Sequence, residues 1–369
     1  MSTVSRPAAD VLVVGAGVIG LLTARELAAA GLHVVVLDKS AYGTESSWAG
    51  GGILSPLCPW HAPEPILALS RWSQREYPRL SAELHERAGI DPEWVRSGLL
   101  IWPGDEMTRA VDWLVREHVE YRALAASEIH AVEPHLSAVP GDALRIPGIA
   151  QVRNPRFLRA LRASLSSMRV EILENHPVDE LVVEGARVVG AVSGGERYRA
   201  GRVVLAAGAW SGTFGTRWLP KLDVAPVKGQ MLALEAAPDL LTHIVLSGDR
   251  YLIPRRGGVL LAGSTVEHVG FDKSTSESAC RELRAFAESM LPELAGAALL
   301  RHWAGLRPGS PNGIPFIGRH PTIECLYFNC GHFRNGFVMG PASARLLADL
   351  LLERSPIVPP EPYAYAASR

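Results

Sequence analysis

The chain has 369 residues, of which 47% are hydrophobic and 20% charged, and its formal net charge is −1. This length suits about two domains of an ordinary globular protein, and the charge gives no reason to expect nucleic acid or an anionic membrane as partner. The amino terminus lacks the apolar core of a signal peptide, no apolar run is long enough to span a bilayer, and the carboxy terminus shows no targeting signal. The cysteines Cys58, Cys280, Cys325 and Cys330 have no paired spacing, so neither zinc nor a disulfide framework is expected, and we infer a reducing cytoplasm.

The first forty residues predict a nucleotide-binding unit. An apolar strand over residues 10–14 breaks at the turn Gly15-x-Gly17-x-x-Gly20, and a helical pattern and a second buried strand ending in Asp38 follow. This is the order and spacing of the βαβ dinucleotide-binding motif. Gly15 permits the tight turn, Gly17 lets a pyrophosphate approach the backbone, and Gly20 lets the helix pack on the strand. The helix N-terminus favours the phosphate charge, and Asp38 is placed for the adenosine ribose.

The residues themselves leave two dinucleotides open. An acid after the second strand suits a free 2′-hydroxyl, which disfavours NADP but admits NAD and FAD. NAD enzymes usually continue in regular βα units, whereas here the loop ESSWAGGGILSP follows, at residues 45–56. A later buried strand in RVVLAAGAWSG, residues 202–212, ends in small residues. Such a return strand is typical of FAD proteins, although it also fits an ordinary core strand followed by a turn.

The middle of the chain predicts helices and then a sheet. Helices are expected over residues 64–89, with an interruption at Pro78, from Asn154 as N-cap with Pro155 in the first helical position, and over residues 273–291. A β-hairpin is predicted from residue 181, and strand-like runs recur between residues 227 and 265. These runs indicate an antiparallel sheet inserted between two parts of the nucleotide domain.

The C-terminal region carries a second glycine-rich turn. Residues 302–321 are rich in Gly and Pro, which predicts irregular but stiff backbone around Arg307. A strand, the turn GHFRNG and a helix opening near Pro341 are expected next. A helix N-terminus presents N–H groups and its positive dipole end to whatever lies in front of it. In a flavoprotein this suits the ring edge that becomes negative on reduction, and Arg334 lies in the same turn.

Seven segments, taken in order, resemble those of the FAD-dependent D-amino-acid oxidase superfamily and, within it, the glycine oxidases: GAGVIG, ESSWAGGGILSP, VLAAGAWSG, VKGQM, YLIPRR, GLRPGSPNGIPFIG and GHFRNGFVMGPA. The resemblance covers essentially the whole chain and implies an α/β (α+β) fold. It implies a Rossmann-like FAD-binding domain from residues 1–88, 150–222 and 303–369. A substrate-binding domain, built on the inserted antiparallel sheet, is expected from residues 89–149 and 223–302.

The resemblance also implies an activity. Glycine, sarcosine and small D-amino acids would be oxidatively deaminated to the imine or glyoxylate and ammonia, by hydride transfer from the α-carbon to flavin N5, while oxygen becomes hydrogen peroxide. In organisms that make thiamine this way, the imine feeds thiazole synthesis. FAD is expected to be noncovalent, because the stretch after GLRP lacks the cysteine that holds the flavin of monomeric sarcosine oxidases. Relatives imply a cytoplasmic homotetramer with a small amino acid and oxygen as its only partners, and neither nucleic acid nor a membrane.

Site residues carry over position by position. Arg307 matches the arginine that holds the substrate carboxylate, Tyr251 the tyrosine that assists it, and Arg334 a second arginine near the substrate. FAD contacts are matched by Val18, Ile19, Asp38, Lys39, Ser46, Ser47, Gly51, Gly52, Ile53, Val178, His332, Phe333, Arg334, Asn335, Gly336, Phe337 and Val338.

Several local expectations follow from this match. Cβ atoms at Gly51 and Gly52 are expected to occupy the space of cofactor or substrate, and the two serines before them offer hydroxyls to phosphate. Position 38 is Asp where Glu is common in relatives. Ser55 and Val266 are expected in the pocket wall.

Two further interpretations stay open at this point. The same fold can serve a D-amino-acid dehydrogenase or a sarcosine-oxidase-like enzyme. A catalytically silent dinucleotide-binding regulatory domain would carry the same N-terminal motif without turnover. The twelve histidines form no metal-binding pair at helical spacing, so no metal is expected, and His332 is interpreted as part of the flavin loop rather than as a base.

Overall fold

A computed structural model describes residues 8–137, 139–214 and 222–367 of the chain. The first seven and last two residues, which enter the expectations about a leader and a carboxy-terminal signal, lie outside the described residues. In the described part, no helix is both long and apolar enough to cross a membrane.

The strands are β1 Ala9–Val14, β2 Val34–Leu37, β3 Leu99–Trp102, β4 Arg122–Leu124, β5 Ala143–Ile146, β6 Val170–Leu173, β7 Glu180–Glu184, β8 Arg187–Ser193, β9 Glu196–Leu205, β10 Ala225–Glu235, β11 Ile244–Ser247, β12 Arg250–Arg255, β13 Val259–Gly263, β14 Leu299–Gly309, β15 Phe316–Arg319 and β16 Leu326–Cys330. The α-helices are α1 Val18–Ala29, α2 Ser46–Ala49, α3 Glu64–Ala88, α4 Met107–Arg116, α5 Ile129–Val132, α6 Asn154–Leu165, α7 Glu277–Met290 and α8 Gly336–Leu351.

The first sheet has the strand order β15-β16-β9-β1-β2-β6, with the hairpin β7–β8 joined to β9. Its central strands β16, β9, β1, β2 and β6 are parallel, so the carboxyl ends of β1, β2 and β9 meet at one edge. Alternate residues of β1 enter different cores: Val11 and Val13 pack with α1 and α8, whereas Leu12 and Val14 pack on the hairpin side. Burial on both faces explains the continuous apolar run in the sequence.

The second sheet has the order β14-β10-β13-β12-β11-β3-β5-β4. It is antiparallel except for the parallel pair β11–β3, so the expectation of a purely antiparallel sheet is corrected to a mixed one. The expected domain boundary between residues 302 and 303 falls inside β14, whose whole length pairs with β10. The division of the chain into two domains stays a prediction, and a domain boundary should not cut β14.

Two helix expectations were wrong in detail. Helix α3 continues through Pro78, which is exposed, although proline has no N–H to donate to the carbonyl four residues earlier. Asn154 is the first residue of α6 and not its N-cap. Its buried side-chain amide instead donates to the Ser47 carbonyl at 2.9 Å, which fastens the start of α6 to α2.

The region around Arg307 is regular strand and not irregular chain. Arg307 lies on β14, opposite Val227 of β10, and Pro308 is opposite Pro226. Proline is tolerated here because β14 is an edge strand and needs no partner on its outer side.

Helix α8 begins at Gly336, five residues before Pro341. Proline has no N–H to donate to the carbonyl of Phe337, four residues earlier. That carbonyl accepts a hydrogen bond from the Tyr77 hydroxyl at 2.6 Å, and Ser73 accepts the next free N–H, from Ala342, at 2.9 Å. Side chains of α3 therefore satisfy the groups that the proline frees, and α8 can extend to the glycine-rich turn.

Candidate active site

One cavity joins the carboxyl ends of the first sheet to the face of the second. It is lined by Val14, Leu37 and Ala206 at the ends of β1, β2 and β9, and by residues of β10, β12 and β14. Crevices at this end of parallel strands are the usual ligand sites of such sheets. All the site residues expected from the sequence line this cavity except Gly20 and Val338.

The nucleotide turn is built by close backbone approach. Gly15 has φ +109°, and a Cβ there would collide with the Ala206 carbonyl of the return strand. A Cβ at Gly20 would collide with the Gly15 carbonyl, so Gly20 packs α1 on the turn itself. Helix α1 begins after Gly17, which has no side chain to cap the helix. The positive end of the α1 dipole faces the cavity.

Asp38 lines the cavity beside the nucleotide turn and also holds the turn together. Its carboxylate accepts hydrogen bonds from the Ala16 N–H at 2.6 Å and the Ser40 N–H at 2.9 Å. Burial raises the pKa of Asp38, and these hydrogen bonds oppose the rise. Oδ1 also accepts from the Ser40 hydroxyl at 3.2 Å, whereas Oδ2 keeps a second lone-pair direction that can accept from a ribose.

The loop after β2 contains a single helical turn, α2. The Ser47 hydroxyl accepts the Val18 N–H at 2.9 Å and so caps α1, and within the described residues no acceptor takes its own proton. Lys39 pairs with Glu45 at 3.2 Å and lies 3.1 Å from the centre of the Trp210 ring. These contacts place the expected phosphate-binding groups Ser46 and Ser47 beside the start of α1.

The glycines at 51 and 52 are required by packing within the chain itself. A Cβ at Gly51 would lie 2.6 Å from Ile253 Cδ1 and 3.3 Å from Tyr251 Cε2. Gly52 has φ +68°, and its Cβ would collide with the Val152 carbonyl and with Asn154. The missing side chains therefore let the loop pack on β12 and the start of α6. Both glycines also line the cavity, and the expectation that they clear space for a ligand stays a prediction.

The second glycine-rich turn brings buried polar atoms without partners to the cavity. His332 Nε2 and Arg334 Nη2 are both buried and have no hydrogen-bond partner within the described residues. Burial lowers the pKa of His332 to about 3, so its imidazole is neutral at physiological pH. Asn335 precedes α8 and makes no side-chain cap, which leaves the first N–H groups of this helix facing the cavity.

Arg307 is held over the face of the second sheet. Its Nη1 donates to the Lys228 and Thr265 carbonyls at 3.3 and 3.2 Å, and its Nη2 donates to Ser264 Oγ at 2.7 Å. Burial lowers the pKa of this guanidinium, and the neighbouring Tyr251 opposes that. A guanidinium has five N–H donors, so two remain to face Tyr251 and the cavity. No carboxylate forms an ion pair with Arg307 or Arg334 in the part of the chain that the structure describes.

Sequence reasoning missed part of the wall and misplaced one residue. Gly229 and Met231 of β10 line the cavity, and the Tyr251 hydroxyl donates to Met231 Sδ at 3.7 Å. The alternation in VKGQM could have shown that these two residues share a face. Ser55 lines the cavity as expected, whereas Val266 is 43% exposed and lies outside the wall.

The cavity suits a long anionic cofactor next to a small anionic substrate. Two helix N-termini face it, Asp38 marks one end, and the orphan donors of the second turn lie with Arg307 at the other. Anions bind readily at such helix ends. The fold and this site define a dinucleotide-dependent oxidoreductase.

The chain belongs to the FAD dependent oxidoreductase family (DAO), whose family model matches residues 10–350, and FAD is its cofactor. It is 48% identical over 357 residues to the glycine oxidase of Pseudomonas aeruginosa, covering 96% of this chain and 98% of that protein. The glycine oxidase of Pseudomonas putida is 46% identical over 96% of this chain and 98% of its own length. The crystal structure of glycine oxidase from Geobacillus kaustophilus matches with a TM-score of 0.94 at 29% identity, covering 99% of this chain and all of that one.

Proposed function

We propose that this protein oxidises glycine and similarly small amines, sarcosine and small D-amino acids, with oxygen as the electron acceptor and hydrogen peroxide as a product. The observation that carries the proposal is the Arg307 guanidinium, which faces the cavity and has no carboxylate partner in the described residues. A buried cation without a counter-ion is costly. A substrate carboxylate would supply that counter-ion, and its nearly full-length relatives in two Pseudomonas species are named glycine oxidases.

In this proposal Arg307 holds the substrate carboxylate by two parallel hydrogen bonds, which fixes its orientation as well as its place. Tyr251 lies beside the guanidinium and adds a hydroxyl, and Arg334 adds a second positive charge to the same end of the cavity. Bound FAD would supply the hydride acceptor for the substrate α-carbon and the path of the electrons to oxygen. The residues supply position, so that the α-carbon meets the cofactor in a reactive arrangement.

No side chain needs to act as base at the α-carbon. His332 is buried and neutral, and it belongs to the turn that borders the cavity. The two guanidinium charges favour the neutral form of a bound amine, because like charges lower the pKa of an ammonium group. A neutral amine keeps its nitrogen lone pair, which stabilises the α-carbon as the hydride leaves. The proton therefore leaves the amine on binding rather than in the chemical step.

Substrate size tests the proposal. Arg307 and Tyr251 address groups that every amino acid has, so only the surrounding wall can reject large side chains. Such walls discriminate by about 1–3 kcal/mol per methylene. Glycine, sarcosine and D-alanine should all reduce the flavin and consume oxygen, whereas D-phenylalanine should be a poor substrate.

A preference for bulky D-amino acids would replace this proposal by a broader oxidase. Electron transfer to a quinone without oxygen uptake would indicate a dehydrogenase. If no amine bleaches the flavin, the protein would be a silent binding domain.

The remaining expectations belong to the same proposal. FAD is bound noncovalently, so acid precipitation should leave yellow flavin in the supernatant, and a yellow pellet would contradict this. We also propose the two-domain division, a homotetramer and a cytoplasmic location. Light scattering on the purified holoenzyme tests the oligomer. A role in thiazole synthesis would require an organism that makes thiamine from the imine.

A further inference from the structure

Two glycines face each other on the paired strands below the cavity. Gly229 of β10 is opposite Gly305 of β14, and both line the cavity wall. An interior glycine weakens a strand, and it commonly marks a place where another group approaches the backbone closely. The approaching groups differ for the two glycines. Gly305 lies under Ala49 of α2, whereas the space above Gly229 is taken by Arg307.

The contact between Gly229 and Arg307 is with the charged end of the side chain. A Cβ at Gly229 would lie within 3.0 Å of Nη1, Nη2 and Cζ of Arg307, which are its three nearest atoms. Arg307 is opposite Val227, so Gly229 is its diagonal neighbour, two residues along the partner strand on the same face. The guanidinium therefore lies across bare backbone at Gly229.

The edges of the guanidinium are fixed by other acceptors. Nη1 donates to the carbonyls of Lys228 and Thr265, and Nη2 donates to Ser264 Oγ. The Lys228 backbone is itself tied down, because its buried ammonium pairs with Asp272 at 2.9 Å and Glu267 at 3.1 Å. These acceptors fix the direction of the guanidinium, and the absent side chain at position 229 fixes its depth in the cavity.

We infer that Gly229 is a positioning residue for the substrate carboxylate: its lack of a Cβ sets the place of the Arg307 guanidinium, and Ser264 sets its rotation. This rests on the proposed function, in which Arg307 binds that carboxylate. A methyl group at position 229 would push the guanidinium toward the cavity and misalign its free donors. The backbone would be spared, because the colliding atoms are the far end of a flexible side chain.

The test is a double-mutant cycle on the FAD-loaded enzyme, with acetate as the carboxylate probe. Acetate affinity is read from the flavin absorbance spectrum, and glycine turnover is measured in parallel. A misplacement of about 1 Å at a reacting centre can cost about 10²-fold. Gly229→Ala should therefore lower acetate affinity and glycine kcat/KM by about that factor, while FAD content is retained.

The control is Gly229→Ala in an Arg307→Ala background, where the collision no longer exists. In that background Gly229→Ala should change acetate affinity less than about twofold, since only residues in contact have coupled effects on affinity. An equal loss in both backgrounds, or no loss beside an intact Arg307, would overturn the inference. If Arg307→Ala alone leaves acetate affinity unchanged, the proposed function fails instead.

Ser264→Ala provides a second, independent variant that creates no collision. It removes the acceptor of Nη2 and should lower acetate affinity about tenfold, because a hydrogen bond from a charged group contributes more than a neutral one. Ser264→Thr, which keeps the hydroxyl, should restore it. Equal affinities in both variants would remove Ser264 from the inference.

Discussion

Replacing Arg307 by alanine should leave a folded, yellow protein that oxidises glycine very poorly. The side chain contacts no group of the nucleotide turn: its described hydrogen bonds go to Lys228, Ser264 and Thr265 on the second sheet. FAD binding at the βαβ unit should therefore survive. Arg307 itself lines the cavity, so water can enter the space that its side chain leaves and replace its N–H groups.

The magnitude follows from what the substrate would lose. Three of five guanidinium donors are committed to Lys228, Thr265 and Ser264, and the remaining two face Tyr251 and the cavity, where a substrate carboxylate can accept from them. Breaking one side of a buried ion pair costs roughly 3–5 kcal/mol. Since 1.36 kcal/mol corresponds to a factor of ten, kcat/KM for glycine should fall about 10²–10⁴-fold. In Arg307→Lys the kcat/KM for glycine should fall less, because lysine keeps the charge but lacks the planar fork of the guanidinium.

The assay is oxygen consumption with glycine at fixed, saturating FAD. Circular dichroism and the flavin spectrum report folding and cofactor content. Arg281→Ala is a matched control. It removes the same kind of side chain from an exposed position on α7, outside the cavity wall. Near-normal kcat/KM in Arg307→Ala would refute the assignment and leave Arg334 as the carboxylate ligand.

Asp38→Ala should weaken FAD binding about ten- to a hundredfold, since a hydrogen bond to a charged acceptor contributes roughly 1.5–3 kcal/mol; turnover of the fully loaded enzyme should hardly change, and unchanged FAD affinity would exclude the ribose role. Gly305→Ala should also weaken FAD binding, by about 1–3 kcal/mol of overpacking, because the new methyl would collide with Ala49. The added change Ala49→Gly should restore affinity, and a double variant as weak as the single one would contradict this cause. The pKa of His332 lies near 3 in the folded chain, below its usual 6.5. The unfolded chain therefore binds a proton that the folded one does not, and stability should fall by about 1.4 kcal/mol per pH unit below 6.5. Urea unfolding of His332→Gln should lack this part of the loss, and equal pH slopes would refute it.

Local sequence determined the nucleotide unit. In residues 9–38 the strand, glycine turn, helix and second strand are contiguous, so the whole motif can be recognised in one stretch of about thirty residues. The family segments predict that Arg307, Tyr251 and Arg334 share one site, and all three line the same cavity.

The errors arose where a distant partner decides the local conformation. Pro341 predicts a helix start, yet Tyr77 supplies the hydrogen bond that the proline cannot make, and α8 begins at Gly336. Residues 302–309 are rich in Gly and Pro, yet pairing with β10 holds them as a strand. Local propensity cannot show either outcome, because the compensating group comes from another part of the chain.

The sequence by itself determined the fold class, the cofactor motif and the candidate site residues that line the cavity, because each is carried by a contiguous pattern. Only the tertiary structure decided why particular glycines are required. Gly51 makes room for Ile253 and Tyr251, Gly305 for Ala49, and Gly229 for the guanidinium of Arg307. The physical reason is that a glycine records only the absence of a side chain. What occupies that space is chosen by packing between segments that lie far apart in the chain.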